Sequence, residues 1–187
     1  MELRSLLFVL LLASSACFSR AAKPFSATAA SVANVGEATP WADWGFLLGN
    51  WTLGEGGGKP GQGASGTVSF TVDLQGHVIV RKNHSEYASV NGKPPVIHDD
   101  RMTIYEEGGA TRAIYWDNEG HVIHYTVGLS ADKKKITFLS DKTPGAPAFR
   151  LTYEDAKPGT VYVGFEIAPP DKPDQFAMYV QGTMVRR

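Results

Sequence analysis

Cysteine is all but missing. Its one copy, Cys17, lies in a stretch that reads as removable, so a disulfide framework, a cysteine nucleophile and a thiolate metal site are excluded for the rest of the chain. Strong charge of one sign is missing too: 18 Lys and Arg stand against 19 Asp and Glu, a net charge of -1. No cluster of basic residues supplies the electrostatic footprint that nucleic-acid binding needs. Beyond the N-terminal stretch no apolar run approaches the ~20 residues of a membrane-spanning helix, and no long segment carries the period of an amphipathic helix. A nucleophile elbow and a Cys/His zinc spacing are absent as well. Gly56-Gly57-Gly58 lacks the Lys-Ser/Thr and the strand-to-helix setting of a phosphate loop.

What is present begins with MELRSLLFVLLLASSACFSRAAKPFSA. It carries one early Arg (Arg4), an apolar run from Leu6 to Ala13 and a tail of small residues, the layout of a secretory signal peptide. Cleavage after Ala21 or Ala22 is expected, which assigns residues 1–21 to the signal peptide and makes the mature protein exported, to the periplasm or the medium. Its loss leaves 16 basic against 18 acidic residues and no thiol. The alternative is a lipobox at Ser14-Ser15-Ala16-Cys17, which would leave Cys17 as a lipidated anchor. Residues 22–40, rich in Ala, Ser, Thr and Val without clear period, read as a loosely ordered leader.

Residues 41–187 read as one domain. PWADWGFLLGNW concentrates three Trp, a Phe and two Leu, and must be buried: Trp41 to Leu48 as a short helical plug, Asn50 to Gly54 as a first strand. The run 54–66 holds seven Gly in thirteen residues and reads as a loop. From Thr67 onward the text is TVSFTVDL, HVIVRKNHSEY, RMTIY, AIYW, HVIHYTVGL, KITFLS, AFRLTYE, TVYVGFEIA and FAMYVQGTMV. Turn signals separate these segments, among them Gln75-Gly76, Asn91-Gly92, EEGG and DNEG. Such a series of about ten short strands with hairpin-length connections predicts an all-β, up-and-down antiparallel barrel. A flattened two-sheet sandwich is the competing arrangement.

FLLGNWTLGEG, Phe46 to Gly56, resembles the opening of a lipocalin-like (calycin) barrel. In those barrels a short helical turn closes one end and a Gly-x-Trp, here Gly49-Asn50-Trp51, begins the first strand. The resemblance implies that a terminal Arg, Arg186 or Arg187 of MVRR, packs on that Trp. The longer run from LQGHVIVRKNHSEY to FEIAPPDKPDQFAMY is similar to a secreted, largely uncharacterised bacterial family of such barrels. That similarity implies a fold and an exported location but no known reaction. Haem-binding barrels of the nitrobindin type share the ten strands and the Gly-x-Trp. Their iron-holding His lies on the closing strands, where FAMYVQGTMVRR has none.

Candidate site residues follow from strand parity. If Val78 and Val80 face inward, period 2 also turns Lys82, His84 and Glu86 inward, and the parity of Met102 and Ile104 is that of His98 and Asp100. Such a His/carboxylate set suits a divalent ion or an acid/base pair, a polar wall contacting a ligand, or merely the wet face of a sheet. His121 and His124, three apart on a strand, point to opposite faces and so cannot share a metal. The DNEG turn allows either to face in; a bulged turn suited to Gly120 puts His124 with Trp116, both inward. Tyr105, Tyr115, Trp116, Tyr125, Phe138, Phe149, Tyr153, Tyr162, Phe165 and Tyr179 recur along the strands as core. A barrel of this size encloses more space than side chains readily fill. The expected function is binding of a small apolar or amphipathic molecule oriented by Lys82, His84, Glu86, His98, Asp100, Trp116 and His124, with Gly49, Trp51 and Arg186 structural. The alternatives are an enzyme using the His/carboxylate cluster, and haem binding. The sequence assigns no cofactor.

Overall fold

A computed structural model of the protein describes residues 40–54, 64–88 and 94–187. The expected signal peptide with Cys17, the leader through residue 39, most of the Gly-rich run and the Asn91-Gly92 turn lie outside those residues. Ten strands follow one another: β1 Gly49–Leu53, β2 Ala64–Asp73, β3 Val78–Tyr87, β4 Val96–Glu107, β5 Ala110–Asp117, β6 Val122–Leu129, β7 Lys135–Ser140, β8 Ala148–Lys157, β9 Thr160–Ala168 and β10 Ala177–Arg186. Each is antiparallel to its neighbours in sequence, and β1 pairs with β10 through Trp51 opposite Arg186 and Leu53 opposite Met184. The ring is therefore a closed up-and-down barrel rather than a sandwich, and leaves no unpaired sheet edge. Among the described residues, no helix is long and apolar enough to cross a membrane.

One end of the barrel is filled by the residues ahead of and within β1. The segment forms no α-helix, only a three-residue 3-10 turn, Ala42–Trp44. Trp41, Trp44, Leu47 and Trp51 are nonetheless buried, and two of the indole N–H groups are bound to carbonyls: Trp41 Nε1 donates to Gly76 at 2.9 Å and Trp51 Nε1 to Leu47 at 2.8 Å. The guanidinium of Arg186 lies 4.5 Å from the Trp51 ring centroid and donates to the Leu48 carbonyl at 2.9 Å. Gly49 explains how it gets there: a Cβ at that position would meet Arg186 Nη1 at 2.7 Å. The Gly of Gly-x-Trp is thus the space through which the arginine reaches the indole.

Above this end the core is a lattice of rings packed edge to face. Trp44, Phe138, Tyr153 and Phe70 form one chain, with centroids 5.3 to 6.1 Å apart, and Tyr125 joins it through Phe138. That geometry sets the positive edge of one quadrupole against the negative face of the next.

Register decides which side chains enter the barrel, and on β3 it overturns the sequence-based parity. Ile79 opposes Ile104, Arg81 opposes Met102, Asn83 opposes Asp100 and Ser85 opposes His98. Since Met102 and Ile104 are fully buried, the odd residues of β3 face inward with them, and Lys82, His84 and Glu86 are exposed on the outer wall. The run Val78-Ile79-Val80 carries no alternation of its own; Ile79, with no exposed surface, is the residue that faces in. On β5 and β6 Ile114 opposes His124 and Trp116 opposes Val122. His124 and Trp116 do share a face, but it is the outer one, where both are exposed.

Candidate functional site

The strand ends away from the tryptophan-filled base surround an open mouth. A cavity of about 520 Å³ enters there, bordered by Tyr87, His98, Tyr115, Asp117, Glu119, His121, Ile123, Tyr125, Phe149, Phe165, Ile167, Tyr179 and Val180 among others. Below it lies an inner chamber of about 150 Å³ that shares Tyr87, His98, Tyr115, Phe165 and Val180 and adds Arg81, Asn83, Ser85, Asp100 and Tyr153. The two sides of this interior differ in chemistry. β8, β9 and β10 present Phe149 stacked on Phe165 at 5.9 Å between centroids, with Tyr179 edge-on to Phe165 at 6.2 Å. β3, β4 and β5 present a connected set of polar groups.

That set starts at the buried Arg81, which forms an ion pair with the buried Asp100 through Nη1 and Oδ1. Asn83 Nδ2 donates to the other carboxylate oxygen at 2.9 Å, and the Ser85 hydroxyl donates to Asn83 at 3.2 Å. His98 Nε2 lies 3.4 Å from Asp100 Oδ2 and 3.1 Å from the Tyr115 hydroxyl, while its Nδ1 lies 3.2 Å from Glu119. Tyr115 donates its only proton to Asp117 at 3.2 Å, so its oxygen accepts from His98 Nε2–H. Asp117 in turn holds His121 through the backbone N–H at 2.9 Å and Nδ1 at 2.8 Å. Two buried charges, a half-buried imidazole and a rim carboxylate are thereby linked into one network.

The titration behaviour follows from these contacts. The hydrogen bond to Asp100 raises the pKa of His98; burial opposes the shift and Glu119 adds to it. Burial pushes up the hydroxyls of Tyr115 and Tyr125, reinforced for Tyr115 by Asp100 and Asp117. Tyr153 is pushed up to about 12 by burial, against the pull of Arg81. Burial works against the charge of Arg81, yet Asp100 beside it carries the net shift upward. For Asp117 burial opposes ionisation, but the backbone N–H and ring of His121 outweigh it and the pKa falls.

Of the seven residues expected to orient a ligand, the fold brings only His98 and Asp100 into the interior. Lys82, His84, Glu86, Trp116 and His124 stand outside, His84 bonded to Asp99 at 2.7 Å. Lys82 and Trp116 instead border a depression on the outer wall with Asp99 and Arg101, too open to enclose a ligand as a cleft does. Among the described residues no three His, Cys, Asp or Glu side chains gather as a metal-binding group. The interior residues that sequence reasoning left unassigned are Arg81, Asn83, Ser85 and Asp117. A charged residue following three apolar ones reads as the end of a buried stretch, so only register reveals Arg81. No protein-family model matches the chain, and no curated protein matches it.

Proposed function

We propose that the protein is an exported, lipocalin-like barrel that binds a small amphipathic molecule in its interior. The observation that carries this is the cavity of about 520 Å³ opening at one end of a closed barrel, within the ~300–1,000 Å³ range of small-molecule sites. One wall is aromatic and aliphatic and the other is a hydrogen-bonded polar array, which fits a molecule with an apolar body and a polar end. The Gly49-Asn50-Trp51 opening, the plug-like segment Trp41 to Leu48 and the Arg186 cap support the lipocalin-like assignment. The N-terminal signal pattern supports export.

An enzymatic reading required His84, Glu86, His98 and Asp100 to converge, and they divide two and two between the outer and inner faces. β9 and β10 carry no His to hold a haem iron. Titration with N-phenyl-1-naphthylamine, whose fluorescence rises in apolar surroundings, tests the binding reading. Saturable 1:1 binding with Kd below ~10 µM (about -7 kcal/mol) is expected. Nothing tighter than ~1 mM (about -4 kcal/mol) would contradict it.

A further inference from the structure

The inner chamber contains two buried polar atoms that the fold leaves without a partner, Arg81 Nε and the Tyr153 hydroxyl oxygen. Arg81 is 7% and Tyr153 0% exposed, and both border the chamber. The guanidinium acts on the phenol by its charge and by a loose side-chain contact, but neither Arg81 Nε nor the Tyr153 hydroxyl makes a hydrogen bond of good geometry. An unmade hydrogen bond at a buried group is costly, and here two such groups meet in one small space. Both offer a proton, Arg81 Nε because it has nothing else to offer. One acceptor placed between them would satisfy both.

Charge narrows the choice of acceptor. Arg81 is already neutralised by Asp100. His98, between Asp100 and Glu119, also stands among carboxylates, and Asp117 lies on the far side of Tyr115. A carboxylate pushed into this chamber would add a further negative charge to surroundings where acids already match or outnumber bases, at a desolvation cost that no unpaired cation among the described lining residues offsets. A neutral oxygen carries no such penalty. Resting on the binding reading above, we infer that the inner chamber takes the neutral carbonyl oxygen of the ligand, a ketone, ester or amide. It accepts from Arg81 Nε and the Tyr153 hydroxyl while the apolar body lies along Phe165 and Phe149 toward the mouth. The chamber volume of about 150 Å³ suits a compact polar head.

The test compares 2-decanone labelled with ¹³C at the carbonyl, decane and decanoate, three ten-carbon probes differing at the head. Each displaces N-phenyl-1-naphthylamine from the wild type and from Tyr153→Phe, and the labelled carbonyl is followed by NMR. Two hydrogen bonds predict that wild type holds the ketone at least ~5-fold more tightly than the alkane, and more tightly than decanoate, with the bound carbonyl resonance shifted downfield. In Tyr153→Phe the ketone-to-alkane ratio should fall ~3–10-fold and the downfield shift should shrink. Tyr153→Phe is chosen because its hydroxyl makes no well-formed hydrogen bond in the fold, whereas removing Arg81 would take the paired guanidinium from the buried Asp100. Equal affinity for ketone and alkane, an unchanged ratio in Tyr153→Phe or a preference for decanoate would overturn the inference and leave the cavity reading standing. Failure of the naphthylamine to bind wild type would overturn the cavity reading and this inference with it.

Discussion

His98 touches Asp100, Glu119 and Tyr115 from a single ring, and its raised pKa makes it the residue through which pH reaches the interior. Its ordinary value is 6.5. A group raised on folding contributes stability that is fully present below the unfolded value and is lost as pH rises through the folded value. Urea melts of the wild type should therefore show stability falling from pH ~6.5 upward, and His98→Gln should flatten that slope. An equal slope in the variant would detach the imidazole from the network. Trp51 lies at the other end: Trp51→Ala removes the platform for Arg186 and should cost ~3–5 kcal/mol. The two histidines of HVIHY should behave unequally, but in the sense opposite to the sequence expectation. His124→Ala, on the outer wall, should change stability by no more than ~0.5 kcal/mol. His121→Ala removes partners that lower the Asp117 pKa, so it should raise the pH at which that carboxylate titrates, as followed by NMR. At this scale β4 was legible, because Met102 and Ile104 alternate cleanly with polar neighbours and carry Asp100 and His98 inward with them. On β3 three successive apolar residues erased the alternation, and the inward charge at Arg81 is intelligible only once Asp100 is seen opposite.

The elements themselves were the most legible feature, for reasons rooted in turn chemistry. Gly-containing turns at Gly76, Gly108-Gly109, Gly120, Gly145 and Gly159 take positive φ in the structure and mark five of the chain reversals; with the polar loops between the other runs of Val, Ile, Thr and aromatics they made strand number legible. Gly120, at φ 92°, closes the loop between Asp117 and His121. This is the bulged register in which His124 shares a face with Trp116; which face was set by β4 and β5 pairing, not by the turn. β2 starts at Ala64 rather than Thr67, because Gly66 lets it continue: a Cβ there would meet the His84 carbonyl oxygen at 2.0 Å. Only glycine allows β2 and β3 to stay paired at that point. Gly66→Ala should thus force the strands apart and lower the denaturation midpoint markedly, whereas Gly76→Ala, with nothing within 4 Å of its Cβ, should be affected only by its backbone angle. Equal effects would mean that the β2–β3 approach is looser than the structure has it.

At the largest scale the described residues form a ring of strands stoppered by tryptophans at one end and open at the other, and the interior of that barrel changes character along its axis. The base is a packed aromatic lattice, the middle a buried ion pair beside two donors without a well-formed hydrogen bond, and the mouth a mix of stacked rings and hydrogen-bonded carboxylates. The barrel was legible from composition and spacing. The polar array was not, because it is assembled across β3, β4 and β5 by register, which brings Arg81 and Asp117, 36 positions apart, into one network. Val180 borders both cavities, which makes Val180→Trp the most direct test of the claim that the interior is the binding site. Filling that space should weaken N-phenyl-1-naphthylamine binding at least ~10-fold (about 1.4 kcal/mol) while circular dichroism shows the barrel intact. Wild-type affinity in a folded Val180→Trp variant would place the ligand elsewhere and contradict the account.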